Sequence, residues 1–449
     1  MGSIGGEVYD DTSESSIIQF GSLLIDKSLA EASNVPRGEL TADGKGGLGV
    51  LVEWAFFDLP NSNKPEPDFE KVGIELKTTG VIRLKNKSLR AKESLKLTSL
   101  NALDVNTETW ETSRVVSKCG RMLVLTYSYE KKKSVIDLKF TSDQIVLNLL
   151  DPDSVDSAQF KRDFQKIQSY IREGKTEELS SGDTMYLIAK TSGQGKGKGL
   201  RKQPNSKELY KPRAFMIRDS YMTQLLFAGA AQDALLSSSD LSLEETTESA
   251  LRPLIGKTVE ELGKSANYLG DTSTNKSYYF GLAIRLLSGG KESIQELNKA
   301  NIKLKTIRLR KSGRMREDMS FRQFKYLEIV NADWEESTFN EETQQKFLFI
   351  VFKELADGSE VFYKAGYWNM PYVDRLEAQL VWEETKKRVE DNNYQFPKAS
   401  ETKVAHVRPK GANRLDKFPT PQGGFEQKNC FWLNRSYLQA VIDGLEVWE

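Results

Sequence analysis

The sequence predicts an α/β (α+β) protein made by tandem duplication, each copy holding a mixed central sheet flanked by helices. Two observations predict it. Five blocks recur in the same order in the two halves of the 449-residue chain, and in each half a leading helical segment precedes β-rich runs and a closing helix. Self-similarity of this kind marks duplicated units, and the length is that of two domains of roughly 200 residues. The expected boundaries are residues 1–228 for an N-terminal copy, 229–245 for a linker and 246–449 for a C-terminal copy.

The blocks justify the elements in order. TSESSIIQFGSLLIDKS at 12–28 matches TTESALRPLIGKTVEEL at 246–262, each reading as an amphipathic helix behind a Ser/Thr cap. GVLVEWAFFDL at 49–59 matches GLAIRLLSG at 281–289, and GIELKTTGVIRLK at 73–85 matches NIKLKTIRLRK at 301–311. TWETS at 109–113 and DWEES at 333–337 each lead into a strand-like run, RMLVLTY at 121–127 and KFLFIVF at 346–352. AFMIRDSYMTQLL at 214–226 pairs with CFWLNRSYLQAVI at 430–442. The small and polar residues of 229–245 read as the connection between copies.

Composition narrows the chemistry. The two cysteines, Cys119 and Cys430, lie far apart and outside any CxxC spacing, so they read as buried thiols and not as a zinc site. His406 is the single histidine, which excludes His-rich metal sites. Carboxylates and lysines must therefore carry any catalysis. With 64 basic and 64 acidic residues the net charge is zero, so nucleic-acid binding would rest on local basic patches. No apolar run is long enough to span a bilayer and the first residues lack a secretion signal, so the expectation is a cytoplasmic protein without a membrane partner.

The sharpest local feature is KPEPDFEKVGIELKTTG at 64–80. VGIEL reads as a strand, in which Glu75 and Lys77 point to one side. A short hairpin could bring Asp68 back to Glu75. Two hard oxygen ligands beside an ammonium group are what Mg²⁺-assisted phosphodiester hydrolysis needs: the carboxylates hold the metal, and Lys77 orients water or neutralises charge. Glu-x-Lys also occurs at Glu130/Lys132, Glu384/Lys386, Glu401/Lys403 and Glu426/Lys428, where it reads as a solvated strand with ion pairs. The Pro67-Asp68 pair, the apolar run and the turn at Thr79-Gly80 set the first instance apart.

This segment, with GKGGLGVLVEW at 44–54 and TWETSRVVSKCGRMLVL at 109–125, resembles the MutH and Sau-type GATC endonucleases of the PD-(D/E)xK nuclease superfamily, in order and at similar spacing. YLIAK at 186–190 and PRAFMIRDSYMTQLL at 212–226 resemble its DNA-facing segments more loosely. The resemblance covers most of the N-terminal copy. It implies a type II restriction endonuclease making Mg²⁺-dependent double-strand cuts at GATC, with Asp68, Glu75 and Lys77 catalytic and Lys118 an additional active-site lysine. Glu53 would join Asp68 and Glu75 at the metal, Lys45 would lie near DNA, and Lys190, Arg213 and Arg218 fall in the DNA-facing segments. A cognate DNA methyltransferase, and a monomer in solution or a DNA-induced dimer, belong to the same expectation. Trp110 and Glu111 fit the family block, but packing explains them equally well.

The C-terminal copy departs from this pattern. Glu296 replaces Asp68, Lys303 replaces Glu75, Arg285 stands for Glu53, and Lys305 keeps the place of Lys77. Such a cluster would repel Mg²⁺ and suit a phosphate. VAHVRPKGANRLD at 404–416, with Arg408 and Lys410, resembles the family's DNA-reading segment. This copy is expected to bind DNA as an allosteric effector without cutting it. Basic stretches add to both copies: 193–213 carries Lys196, Lys198, Arg201, Lys202, Lys207, Lys211 and Arg213, and RLRKSGRMR occupies 308–316. The glycines at 193–199 lack nucleotide-binding context. A mismatch-repair nickase like MutH, or a catalytically silent DNA-binding protein, are the alternatives.

Overall fold

The computed structural model describes residues 3–4, 7–41, 47–60, 64–192, 199–227, 241–268, 270, 277–290 and 294–446. The N-terminal copy runs α1 (Glu14–Ser22), α2 (Gly47–Ala55), β1 (Glu75–Arg83), β2 (Leu89–Ala91), β3 (Leu95–Leu100), α3 (Arg114–Cys119), β4 (Arg121–Ser128), β5 (Ile145–Asn148), α4 (Val155–Arg172), β6 (Leu187–Thr191), β7 (Arg213–Ile217) and α5 (Asp219–Phe227). The C-terminal copy repeats the plan with α6 (Leu243–Leu251), α7 (Tyr278–Ser288), α8 (Gln295–Lys299), β8 (Lys303–Leu309), β9 (Ser320–Phe324), α9 (Thr338–Thr343), β10 (Lys346–Glu354), β11 (Glu360–Asn369), α10 (Tyr372–Glu390), β12 (Ala405–Pro409), β13 (Lys417–Pro419), β14 (Phe425–Gln427), β15 (Asn429–Leu433) and α11 (Arg435–Asp443). Among the described residues no helix is long and apolar enough to cross a membrane.

The duplication is visible in the pairing. In the first copy the sheet order is β2-β1-β4-β5, with β1 and β4 parallel and Glu75 opposite Met122. In the second it is β8-β10-β11, with β8 and β10 parallel and Lys303 opposite Phe347. Each copy adds a three-stranded antiparallel sheet, β3-β7-β6 and β9-β15-β12. The mixed sheets arise because β1 and β8 must each cross over before pairing with a parallel partner, while the neighbouring connections are short enough for antiparallel pairing. Helix starts correspond too: Ser113 caps α3 and Ser337 caps α9 through their side chains, which satisfies a backbone N–H that the first turn leaves open. Behind them Trp110 packs on Phe164 at 5.6 Å and Trp334 on Trp382 at 5.8 Å, so the aromatic of each WE block is a core residue.

The leading helix of the second copy begins earlier than the sequence blocks place it. Ser242 caps α6 in a capping box with Glu245, which puts Thr246 and Thr247 inside the helix and residues 243–245 in a helix instead of the connection.

Apolar packing divides the chain into three cores. Ile17, Phe20, Leu51, Phe57, Leu76 and Leu123 form one between α1, α2 and the first mixed sheet. A second runs continuously from Leu97, Phe160, Phe215 and Met222 of the first copy to Leu243, Leu282, Leu297 and Phe352 of the second. The third, with Phe339, Trp382, Phe431 and Leu438, lies within the C-terminal copy. The two copies are therefore joined by shared burial, which excludes water from both sides of the junction. Polar pairs mark the same seam: Lys299 meets Asp156 at 2.6 Å, Lys211 meets Glu335 at 2.9 Å and Asn369 donates to Asp183 at 2.8 Å.

Candidate active site

The hairpin joining Asp68 to Glu75 closes through a bridge between Phe69 and Ile74, with Phe69 N–H donating to the Ile74 carbonyl at 2.9 Å. Gly73 turns the chain at φ +69°, in the left-handed region that a side chain resists. The turn delivers Asp68 to the first residues of β1. There the Asp68 N–H donates to Glu75 Oε2 at 3.2 Å, and Asp68 Oδ2 accepts the Leu76 N–H at 2.9 Å. The two carboxylates are thus held side by side through backbone.

Two lysines converge on Glu75, which is 2% exposed. Lys77 Nζ lies 2.5 Å from Oε1 and Lys118 Nζ 3.4 Å from Oε2. Lys77 arrives from the same strand face, as an i,i+2 pair requires. Lys118 arrives from the last turn of α3 and also donates to the carbonyls of Lys64 and Glu66, both at 3.2 Å. It therefore secures the chain just before Asp68 as well as facing Glu75.

The electrostatics are those of crowded acids. Burial first, and then the charge of Glu75, push the Asp68 carboxyl up to about 6; burial and then Asp68 push Glu53 on α2 up to about 7. Burial opposes the Lys77 ammonium, but the Glu75 carboxylate in contact with it outweighs that cost and holds the lysine above its ordinary range. Burial raises the Cys119 thiol to about 12, so the thiol stays neutral and Glu75 is the effective counter-charge. Among the described residues no group of three or more Asp, Glu, His or Cys is gathered to hold a metal ion. Asp68 and Glu75 form an oxygen-rich pair, and their charges reach Glu53 on α2. Two hard carboxylates crowded side by side fit a divalent cation, since a dication relieves their repulsion.

The corresponding place in the second copy has changed sign. Lys303 and Lys305 share one face of β8, and both ammonium groups are held below the ordinary lysine range. Burial leads in each case, followed by Arg322 for Lys303 and by Lys410 for Lys305. Glu342, at the position on α9 that Lys118 holds on α3, accepts from the Arg322 backbone N–H and from Nε at 2.9 Å. This exchange of lysine for glutamate was missed from sequence, although the aligned WETS and WEES blocks lead straight to it. Arg285 stacks over Tyr268 at 5.0 Å and donates to the Gly290 carbonyl, and Glu296 is buried on α8, which packs against α5 of the first copy.

The other expected DNA-contacting residues divide into four groups. Lys190 on β6, Arg201 and Lys202 are exposed. Arg408 lies 3.7 Å over the Trp432 ring and meets Asp318 at 2.8 Å, and Lys410 donates to Ser320 and to the Phe321 carbonyl. Arg213 and Arg218 are corrected: both are buried, Arg213 donating to the carbonyls of Ala189 and Glu177 and Arg218 to those of Met185, Ser181 and Thr184. A buried guanidinium held by carbonyls of this kind braces β6 and β7 from inside the protein. Lys45, Lys196 and Lys198 lie outside the described residues.

The family model of the DNA mismatch repair enzyme MutH matches residues 57–163, which span Asp68, Glu75, Lys77 and Lys118. The chain is similar to the type II restriction enzyme Sau3AI of Staphylococcus aureus, 27% identical over 94% of this chain and 96% of that protein. It is also similar to the DNA mismatch repair protein MutH of Vibrio campbellii, 28% identical over 44% of this chain and 84% of that protein. The MutH of Shewanella woodyi is 28% identical over 40% of this chain and 76% of its own length. A relative matching both copies and relatives matching less than half the chain agree with the duplication.

Proposed function

We propose that this chain, a relative of the MutH and Sau3AI-type proteins, is a type II restriction endonuclease that cuts both strands of double-stranded DNA at GATC with Mg²⁺ as cofactor. The observation that carries the reading is the Asp68–Glu75 pair, with Lys77 and Lys118 both directed at Glu75. Asp68 and Glu75 would hold the cation, with Glu53 behind them. When bound, the cation polarises the scissile phosphate and lowers the pKa of water. Lys77 orients the attacking water or offsets the charge that develops on phosphorus oxygens, and Lys118 keeps the Asp68 approach in place while adding positive charge.

The second copy serves as an effector that binds DNA without cutting it. Two lysines on the β8 face and a glutamate at the Lys118 position remove the acidic pair that a cation needs and leave a surface suited to phosphate. A cognate methyltransferase would protect host sites. Incubating methylated and unmethylated plasmid DNA with Mg²⁺ and sequencing the ends tests the assignment. Cleavage confined to unmodified GATC supports it; random nicking, or no cleavage with any divalent metal, refutes it.

A further inference from the structure

We propose that each copy uses an apolar pair on the hairpin of its DNA-facing sheet as a wedge against the bases of the bound duplex; this rests on the DNA-binding reading above. In the second copy β13 and β14 form a two-stranded hairpin between β12 and β15, with Lys417 opposite Gln427, Phe418 opposite Glu426 and Pro419 opposite Phe425. Phe418 turns toward the C-terminal core, so the alternate positions Lys417 and Pro419, and Phe425 across from Pro419, face outward. Phe425 is 64% exposed and Leu415, just before the hairpin, 86%. Both are large apolar side chains open to water, one at each end of the hairpin.

The surroundings select the occupant. Lys410, Arg414, Lys417 and Lys428 lie on or beside the same hairpin; Lys428 is paired with Asp416 at 2.5 Å, and Lys410 rests on Ser320. The Lys410 N–H bonds the Lys428 carbonyl, so the hairpin extends directly from the strands that carry Arg408 and Lys410. Phe425 then sits roughly 10 Å along the strand from Lys428. Apolar residues set among cations match a duplex, whose phosphates meet the cations while an apolar side chain enters a base step.

The first copy supplies an independent instance. Its hairpin closes through Arg201 and Tyr210, with the Tyr210 side chain buried against Ala102 and the Arg201 guanidinium on the Leu100 carbonyl. The neighbours Leu200 and Leu209 therefore face the other way and are 45% and 44% exposed, with Lys202 and Lys207 beside them. Two diverged copies have kept an exposed apolar pair on the equivalent hairpin while their metal sites went separate ways.

The test uses the full chain, without divalent metal, and a short GATC duplex carrying 2-aminopurine in the flanking base steps. Binding by the unaltered chain should raise 2-aminopurine fluorescence as the base unstacks. The quadruple variant Leu200→Ala, Leu209→Ala, Leu415→Ala, Phe425→Ala should lose that rise and bind about tenfold more weakly, with an unchanged salt slope because no cation is removed. Restoring a stacking face with Phe425→Trp alongside the three alanines should recover part of the signal. A quadruple variant that binds with full affinity and undiminished fluorescence overturns the wedge alone. Failure of the unaltered chain to bind the duplex at all overturns the DNA-binding reading with it.

Discussion

Lys118 and Glu342 occupy the same position in the two copies, each five residues after the serine that caps its helix, and they carry opposite charge. Lys118 faces the carboxylate of Glu75; Glu342 faces the guanidinium of Arg322. The exchange accompanies the replacement of Glu75 by Lys303, and the charge of Glu342 reaches Lys305 on the same strand.

Asp68→Ala, Glu75→Ala and Lys77→Ala should each lower single-turnover cleavage by at least ~10³-fold, the equivalent of several kcal/mol of transition-state stabilisation. Metal-free duplex binding, read by gel shift, should persist, because these groups are buried in the site. Lys118→Ala should lose about 10²-fold, since Lys77 remains to face Glu75. Cleavage at the unaltered rate by any of the first three would remove the assignment.

Without metal, stability should fall as pH rises from about 4.5 to 7. The Glu53 carboxyl, raised to about 7 from 4.5, keeps a proton in the folded chain that the unfolded chain has already released, so folding is favoured below this window and loses that contribution above it. Asp68, raised to about 6, acts in the same direction. Thermal melts across the window should flatten in Glu53→Gln. Cleavage should rise over the same range, because a carboxylate must be deprotonated to hold a cation.

Glu342→Ala should destabilise the chain by about 1–2 kcal/mol in urea titration, at the low end for a charged acceptor because Arg322 is largely exposed. An unchanged midpoint would show that the Arg322 contact contributes nothing to folding.

A plasmid with two sites should be cut faster than one with a single site, and added specific oligonucleotide should stimulate the slower reaction. Lys303→Ala with Lys305→Ala should abolish the stimulation and reduce the salt slope of binding by about 2. Equal rates on both plasmids would leave the second copy without an effector role.

Heating should unfold the two copies in one transition, since their cores are continuous from Phe215 and Met222 to Leu243 and Leu297. Two resolved calorimetric peaks would contradict a shared core. Lys299→Ala should lower the single transition by removing the partner of Asp156 at the seam.

Much of the site was legible in sequence because its determinants are local. The turn through Gly73 and the i,i+2 spacing of Glu75 and Lys77 follow from short-range geometry, so the hairpin could be read from KPEPDFEKVGIELK alone. Arg213 and Arg218 were misread for the opposite reason. A basic residue beside a DNA-facing segment has the same appearance in sequence whether its guanidinium meets solvent or the carbonyls of Ala189 and Met185, and that choice depends on strands brought in from more than twenty residues away. Ser242 was likewise taken for connection, because a cap is defined by the helix that follows it and not by the polar residues around it.

The sequence by itself determined the duplication, the strand and helix order, and the acidic and basic residues of the first site, since periodicity and spacing are properties of the chain. Tertiary structure alone decided that Lys118 reaches Glu75, that the charges of Asp68 and Glu75 reach Glu53, and that one core spans both copies. These depend on which surfaces exclude water against one another, and burial is settled only when distant segments pack.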